Sequence, residues 1–387
     1  MAVNNKIIIW GNDNSNLLGV LRQLSENGLN CFVLFNQRTA RMAIKSHYCK
    51  DYYIANDLND GISFLLSHFQ EEQYKPIILC TGDAFAEKLD EYKEKLITRY
   101  YLPGTKEQGV LKNYLNKYNQ VKLAEKNGLH APKSILVRNI ADIDFNSISY
   151  PCIVKPNQRI NGVHYKFKIK ICRNEGELKE ALATSDKEAV YILQEYISDY
   201  QLAVIDGCRL SDGTTLLSGV LMCEKGGELS DSSFGYLSEK APTSIDMVKV
   251  KAYLDSINYC GPFGFDFGLK EGKAYFFESN LRIDATNYLF YKMGFNFLYL
   301  WIAEVTGNEW HNISCKVKGK KYFIDDIGEL SMVTAGKMRK EDWKADMKRA
   351  EIYKFKNSND NMPYIWQRIV YAIIPFHKAI KNMIHIK

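Results

Sequence analysis

The stretch from Cys260 to Asn287, CGPFGFDFGLKEGKAYFFESNLRIDATN, constrains the rest of the chain most. Two aromatic runs, Phe263–Phe267 and Ala274–Phe277, flank the polar connector Lys270-Glu-Gly-Lys. Short aromatic runs around a glycine-bearing connector predict a β-hairpin with one buried aromatic face. Side chains alternate along a strand, so Glu278 and Asn280 share one face of the second strand, and Asp266 points out of the first. Carboxylate and amide oxygens gathered from paired strands are hard ligands of the kind Mg²⁺ takes. Arg282, two residues on, offers a fork of donors suited to a phosphate or carboxylate. An ordinary hairpin with solvated acids would read the same way, so the rest of the chain has to decide.

A chain of 387 residues with 46% hydrophobic and 25% charged residues can build two or three domains with cores of their own. Its nine cysteines include no Cys-x-x-Cys pair, which argues against a disulfide framework or zinc site and for a reducing cytoplasm. The first residues, MAVNNKIIIWGND, hold too short an apolar run for a signal peptide, and the longest apolar run, Phe297–Val305, carries Glu304 and is too short to span a bilayer. Residues 311–387 hold 16 Lys/Arg and 8 Asp/Glu, a net +8, so the remainder carries −2 of the total +6. A near-neutral body with a basic tail weakens any nucleic-acid reading of the body.

In chain order, Lys6–Trp10 and Cys31–Phe35 are apolar runs joined by an amphipathic stretch, and Pro76–Cys80 repeats the pattern before a helix over 84–96. Residues 1–108 therefore read as a small parallel-sheet domain of Rossmann-like type without the G-x-G-x-x-G of dinucleotide binders. Asp13 and Asp83 sit at its loop ends, where they could face a cleft, although Asp83 reads equally as the cap of the next helix. An amphipathic helix over 111–128 follows and carries Lys117. Ser149–Lys155 is an apolar strand ending on a lysine, whose stem is buried and whose ammonium aims into whatever cleft lies there. Asn157–His164 contains only Gly162, and Lys166, Lys168 and Lys170 alternate along a further strand. Tyr191–Asp199 is an apolar strand bearing Gln194 and Glu195. The segment 224–236 has the polar, glycine-bearing composition of a loop over a site, with Lys225 at its start. Helices are expected over 247–258, 288–306 and 343–350. From Ile365 an apolar stripe through Ile369, Ile373, Phe376, Ile380 and Ile384 recurs every three or four residues. Such a stripe either packs on the protein's own body, the commoner case, or lies in a membrane surface.

Taken together, these pieces resemble the ATP-grasp superfamily, and within it the D-aspartate-ligase-like carboxylate–amine ligases. Asp266 followed by Glu278-Ser-Asn280-Leu-Arg282 is similar to the family's metal-binding end, with Leu281 where proline is frequent. Lys117 and the Gly128-Leu-His-Ala-Pro132 beyond it, the Val154-Lys155-Pro156 setting, and Asn357 to Pro363 near the end match further family signposts, although Asn116 replaces an aspartate. The resemblance implies an α/β and α+β fold: a Rossmann-like pre-ATP-grasp domain (1–108), two ATP-grasp lobes (109–192 and 193–310) and a basic helical extension (311–387). It implies ATP bound by Lys117, Lys155 and Lys168, with Gln194, Glu195, Tyr196, Ile197 and Asp199 at the adenine and ribose. One or two Mg²⁺ ions, replaceable by Mn²⁺, would sit on Asp266, Glu278 and Asn280, with Arg282 and Lys225 acting on the reacting groups. The implied activity is an ATP-dependent ligation of a small-molecule or peptide carboxylate to an amine through an acyl phosphate, in cell-envelope or surface-polymer synthesis. Biotin-carboxylase-like bicarbonate activation and an ATP-binding module without turnover are the alternatives. The expected setting is cytoplasmic, with peripheral membrane contact through the tail, a homodimer left open, and no nucleic-acid partner.

Overall fold

The computed structural model describes residues 3–36, 42–157, 165, 167–183, 188–217, 219–226, 232–314 and 317–371. Three sheets organise them. The first is wholly parallel, in the order β3-β2-β1-β4, with β1 Ile7–Gly11, β2 Cys31–Phe35, β3 Asp51–Ile54 and β4 Ile77–Cys80. Its central strands are apolar without alternation because helices cover both faces. The helix Ser15–Glu26 starts where the Asn14 side chain accepts from Leu17 N–H.

The second sheet is antiparallel and runs β5-β8-β6-β7, from β5 Ser134–Val137, β6 Cys152–Pro156, β7 Lys170–Cys172 and β8 Tyr191–Glu195. Cys152, Val154, Tyr191, Leu193 and Cys172 pack with Leu178 and Leu182 of the helix Glu175–Ala183. The register Lys155 opposite Ile192 and Ile153 opposite Gln194 therefore turns Lys155 and Gln194 to the other face.

The third sheet has eight strands: β9 Gln201–Arg209, β10 Thr215–Leu217, β11 Val220–Gly226, β12 Ser232–Ser238, β13 Gly261–Lys270, β14 Lys273–Asn280, β15 Lys320–Ile324 and β16 Ile352–Tyr353. The order is β14-β13-β9-β11-β12-β15-β16, with β10 paired on β9. The expected hairpin is β13–β14. Glu271 and Gly272 both have positive φ (49° and 74°), the two-residue turn whose twist matches the strands. Phe263, Phe265, Phe267 and Phe276 are buried with Tyr253 of the helix Met247–Ser256. A bulge after Asp266 frees Phe277, whose ring lies where a Cβ on Gly268 would come within 2.2 Å.

Residues 320–353 complete the third sheet through β15 and β16, so the basic extension is part of the body rather than an appendage. Buried Asp326 accepts from Phe355 and Lys356 N–H, both at 2.9 Å. Asn357 donates to Glu26 Oε1 and Tyr288 Oη. Arg22 donates from Nε to Asp360 Oδ2 (2.8 Å) and from its other nitrogens to the Phe355 and Asp360 carbonyls, and Ser46 Oγ and His47 N–H complete the Asp360 shell. The Asn357 to Pro363 signpost is thus the weld that fixes the extension to the first domain.

Several expected elements are broken. The 111–128 helix is two, Val110–Tyr114 and Lys117–Lys126, because the Asn116 side chain caps the second by accepting from Asn119 N–H. The 288–306 helix parts into Asn287–Lys292 and Phe297–Val305 around Gly294, whose φ is +102°. The 84–96 helix parts at Tyr92, and the 343–350 helix starts earlier, at Lys340. The lysine-alternating strand shrinks to Lys170–Cys172. Much of the segment 224–236 is strand rather than loop. Residues 158–164, 166, 227–231 and 372–387, which include Gly162, Lys166, Ile373, Phe376, Ile380 and Ile384, lie outside the described residues.

Candidate active site

Asp266 stands directly opposite Glu278 across β13–β14, and Asn280 opposite Gly264, so the three oxygen donors share one face of the hairpin. Lys117 opens the helix Lys117–Lys126 over that face, and its Nζ lies 2.6 Å from Glu278 Oε1. Two contacts set this approach. The Gln120 amide bonds both backbone groups of Ser279, donating to its carbonyl at 3.0 Å and accepting its N–H at 3.2 Å. Asn157, at the end of β6, accepts from Lys117 N–H through its carbonyl and from Tyr118 N–H through Oδ1. The same residue that receives the helix start therefore ends the strand carrying Lys155, which is only 9% exposed.

The electrostatics reflect this crowding. Burial alone would raise Glu278, but the ammonium of Lys117, with Lys155 and Arg282 behind it, holds the carboxyl down at about 2. Lys155 is pushed down to about 8 by burial and then by Lys117, against the pull of Glu278 and Asp266. Lys117 is opposed by burial and raised by Glu278. Lys117 and Lys155 thus converge on Glu278, with Asp266 beside it, while Arg282 has carboxylates of its own in Asp83 and Asp284.

Arg282 is locked from four sides. Nε donates to Asp83 Oδ1 (2.8 Å), Nη2 to Asn280 Oδ1 (2.8 Å), and Nη1 to the Ile283 carbonyl and Asp284 Oδ1 (3.2 Å). Burial works against its charge, and Asp83 and then Asp284 more than restore it. Asp83 is in the first helical turn with Gly82 as the cap residue, so its carboxylate serves Arg282. Asp13 accepts from Met42 and Ala43 N–H.

Behind Arg282 lies a pair the sequence reading did not single out. Thr286 Oγ1 is 2.8 Å from Asp206 Oδ2 on β9 and 2.8 Å from Asp284 Oδ2. A hydroxyl carries one hydrogen, so one carboxyl must supply the other. Burial, then Asp284, raises Asp206 well above the carboxylate range, and the fully buried Asp206 is the protonated partner. A Cβ on Gly264 would come within 2.8 Å of Asp284 and 3.0 Å of Asp206 Oδ1, which is why this strand position is glycine. The Arg-x-Asp-x-Thr alternation after Asn280 was the available signal.

The remaining expected residues are placed as follows. Gln194 is buried on the Lys155 face and donates to Ser134 Oγ at 2.9 Å. Glu195 turns to the opposite face, is exposed, and accepts from Lys133 N–H. Tyr196 is half-buried, Ile197 buried, and Asp199 adopts a positive φ of 54°. Lys168 is exposed on a bend. Lys225 on β11 is bound by Asp346 of the helix Lys340–Arg349, beside Ser233 and the buried Glu329, whose carboxyl burial and Asp346 push up to about 7. The structure thus brings Lys117, Lys155, Asp266, Glu278, Asn280 and Arg282 together, and gives Lys225 a partner in the extension.

No protein-family model matches the chain. A stretch of 213 residues, 52% of this chain, is 28% identical to the carbamoyl phosphate synthase large chain of Sulfolobus acidocaldarius. That stretch spans 19% of the relative, so the likeness concerns about a fifth of that protein. Among solved structures, the L-amino acid ligase from Bacillus licheniformis superposes with a TM-score of 0.64 at 16% identity, over 83% of this chain and 80% of that one. The ADP complex of N5-carboxyaminoimidazole ribonucleotide synthetase (PurK) gives 0.65 at 14% identity, over 87% and 86%. The chain therefore shares the overall fold of these two solved structures.

Proposed function

We propose that the chain is an ATP-dependent carboxylate–amine ligase. The observation that carries this reading is the convergence of Lys117 and buried Lys155, from two different elements, on the Asp266–Glu278–Asn280 face, which sets two cations beside a row of oxygen donors. With Mg²⁺ held on the carboxylates, the two ammonium groups would be left to a triphosphate. Two carboxylates and one amide on a single strand face fit Mg²⁺, and Mn²⁺ in its place, which prefer oxygen donors and keep positions for phosphate and water. When bound, one or two such ions draw charge from the phosphate oxygens.

Lys117 and Lys155 neutralise the transferred phosphoryl group, with Lys168 assigned beside them, while Gln194, Glu195, Tyr196, Ile197 and Asp199 take the adenine and ribose. A substrate carboxylate oxygen attacks the terminal phosphorus and ADP leaves. The amine then forms its C–N bond at the carbonyl carbon, the C–O bond to phosphate breaks, and the amine's proton passes to solvent. Arg282, fixed by Asp83, Asn280 and Asp284, faces the developing oxyanion or the departing phosphate, and Lys225 is assigned to the same reacting groups. The domain divisions at 108, 192 and 310 follow the same reading. The basic extension directs it to envelope or surface-polymer synthesis.

The test is hydroxylamine trapping with Mg²⁺-ATP across a panel of carboxylic acids, including D- and L-amino acids, peptides and sugar-linked acids. The ligase reading expects a hydroxamate and an equal amount of ADP with at least one acid. ATP binding with neither product across the panel, and no ADP release with any acid–amine pair, would overturn it.

A further inference from the structure

Residues 362–371 form the last described helix, and its two sides differ sharply. Pro363 and Tyr364 are buried, and Trp366 and Tyr371 pack against the core that joins the first and third sheets, with Lys45 Nζ 5.1 Å from the Trp366 ring. On the other side Met362, Ile365 and Ile369 are 56%, 39% and 46% exposed. At 3.6 residues per turn these three fall within an arc of about 60°. The apolar stripe therefore faces out in its described part, contrary to the expectation that it packs on the protein's own body. Of the eight exposed large hydrophobic residues among those described, three lie on this one helix.

We propose that this face docks the protein on an anionic lipid surface. The charge of the segment selects that occupant. From Asn361 to Lys387 the sequence has no Asp or Glu, and carries Arg368, Lys378, Lys381 and Lys387. Arg368 is exposed beside the stripe. The same three-or-four period continues in the sequence through Ile373, Phe376, Ile380 and Ile384. An exposed apolar stripe flanked only by cations is the composition of an in-plane interfacial helix, which gains from apolar insertion and from attraction to acidic headgroups together. A second copy of the chain presents the same cations and would repel across such a face. The inference stands independently of the ligase reading.

Co-sedimentation of the full chain with vesicles tests it. Phosphatidylcholine vesicles containing a third phosphatidylglycerol should pellet the protein at least tenfold more strongly than pure phosphatidylcholine, and 0.5 M salt should release most of it. The double variant Ile365→Asp, Ile369→Asp changes only exposed positions and should lose at least tenfold of that binding, with an unchanged thermal midpoint. Absence of pelleting, binding indifferent to headgroup charge, or full binding by the variant would each overturn the proposal. So would sedimentation equilibrium showing a wild-type dimer that the variant abolishes, since the face would then be covered by a second copy.

Discussion

Two charged networks join the elements around the first sheet to the rest of the molecule, through Arg22 and through Asp83, and they are built differently. Arg22 and Asp360 are 0% and 1% exposed, and three guanidinium bonds and the Asp360 shell leave the pair matched and closed. Lys117, Lys155, Glu278 and Arg282 are also held between remote segments, but Lys117 and Glu278 remain 29% and 30% exposed. The first network is complete without a ligand. The second stays accessible, and burial and then Lys117 hold its Lys155 below the ordinary lysine value, a perturbation typical of functional sites.

The comparison can be broken most severely at the weld. Arg22→Ala should cost about 3–5 kcal/mol, because Asp360 is left buried without its counter-charge. Urea unfolding would read this, and a loss below 1 kcal/mol would contradict the closed-network description. At the open network the order reverses: Glu278→Gln should leave the fold in place and weaken Mg²⁺-ATP binding by ~100-fold or more, since it removes a direct donor. Calorimetry separates the two outcomes.

The pH dependence sharpens the contrast. Lys155 is charged below about 8 in the folded protein, whereas a lysine in the unfolded chain keeps its proton to about 10.4. Between those values the unfolded state binds more protons, so Lys155 contributes stability that rises with pH. A bound triphosphate should restore the charge, so ATP binding above pH 8 should take up a proton and weaken by roughly tenfold per pH unit, and Lys155→Arg should flatten that profile. Titration in buffers of different ionisation enthalpy measures that uptake. The smallest effect is expected at Asp206→Asn, under about 1 kcal/mol, because an amide replaces a neutral acid and keeps a donor toward Thr286. A large loss of stability would show that Asp206 is ionised.

The hairpin was legible because its signals are local: two aromatic runs, a Glu-Gly turn, and donors two residues apart on one face. Lys155 was legible for the same reason, as a charge ending an apolar strand. Gln120, Asp206, Thr286 and Asp346 were not. Each is a single polar residue whose meaning lies in a partner far away in sequence, 159 residues for Gln120 with Ser279 and 80 for Thr286 with Asp206. The weld is the extreme case, with Arg22 and Asp360 separated by 338 residues. Helix breaks at Asn116 and Gly294 were missed because apolar periodicity continues across them while a side-chain cap and a positive φ interrupt the backbone.

The most direct test of the central claim is a calorimetric titration of the whole protein with ATP at pH 7, with and without Mg²⁺, repeated on Glu278→Gln. The account predicts one site per chain whose affinity rises at least tenfold with Mg²⁺ in the wild type and gains little in the variant. Affinity that ignores both Mg²⁺ and Glu278 would place nucleotide binding elsewhere and contradict it.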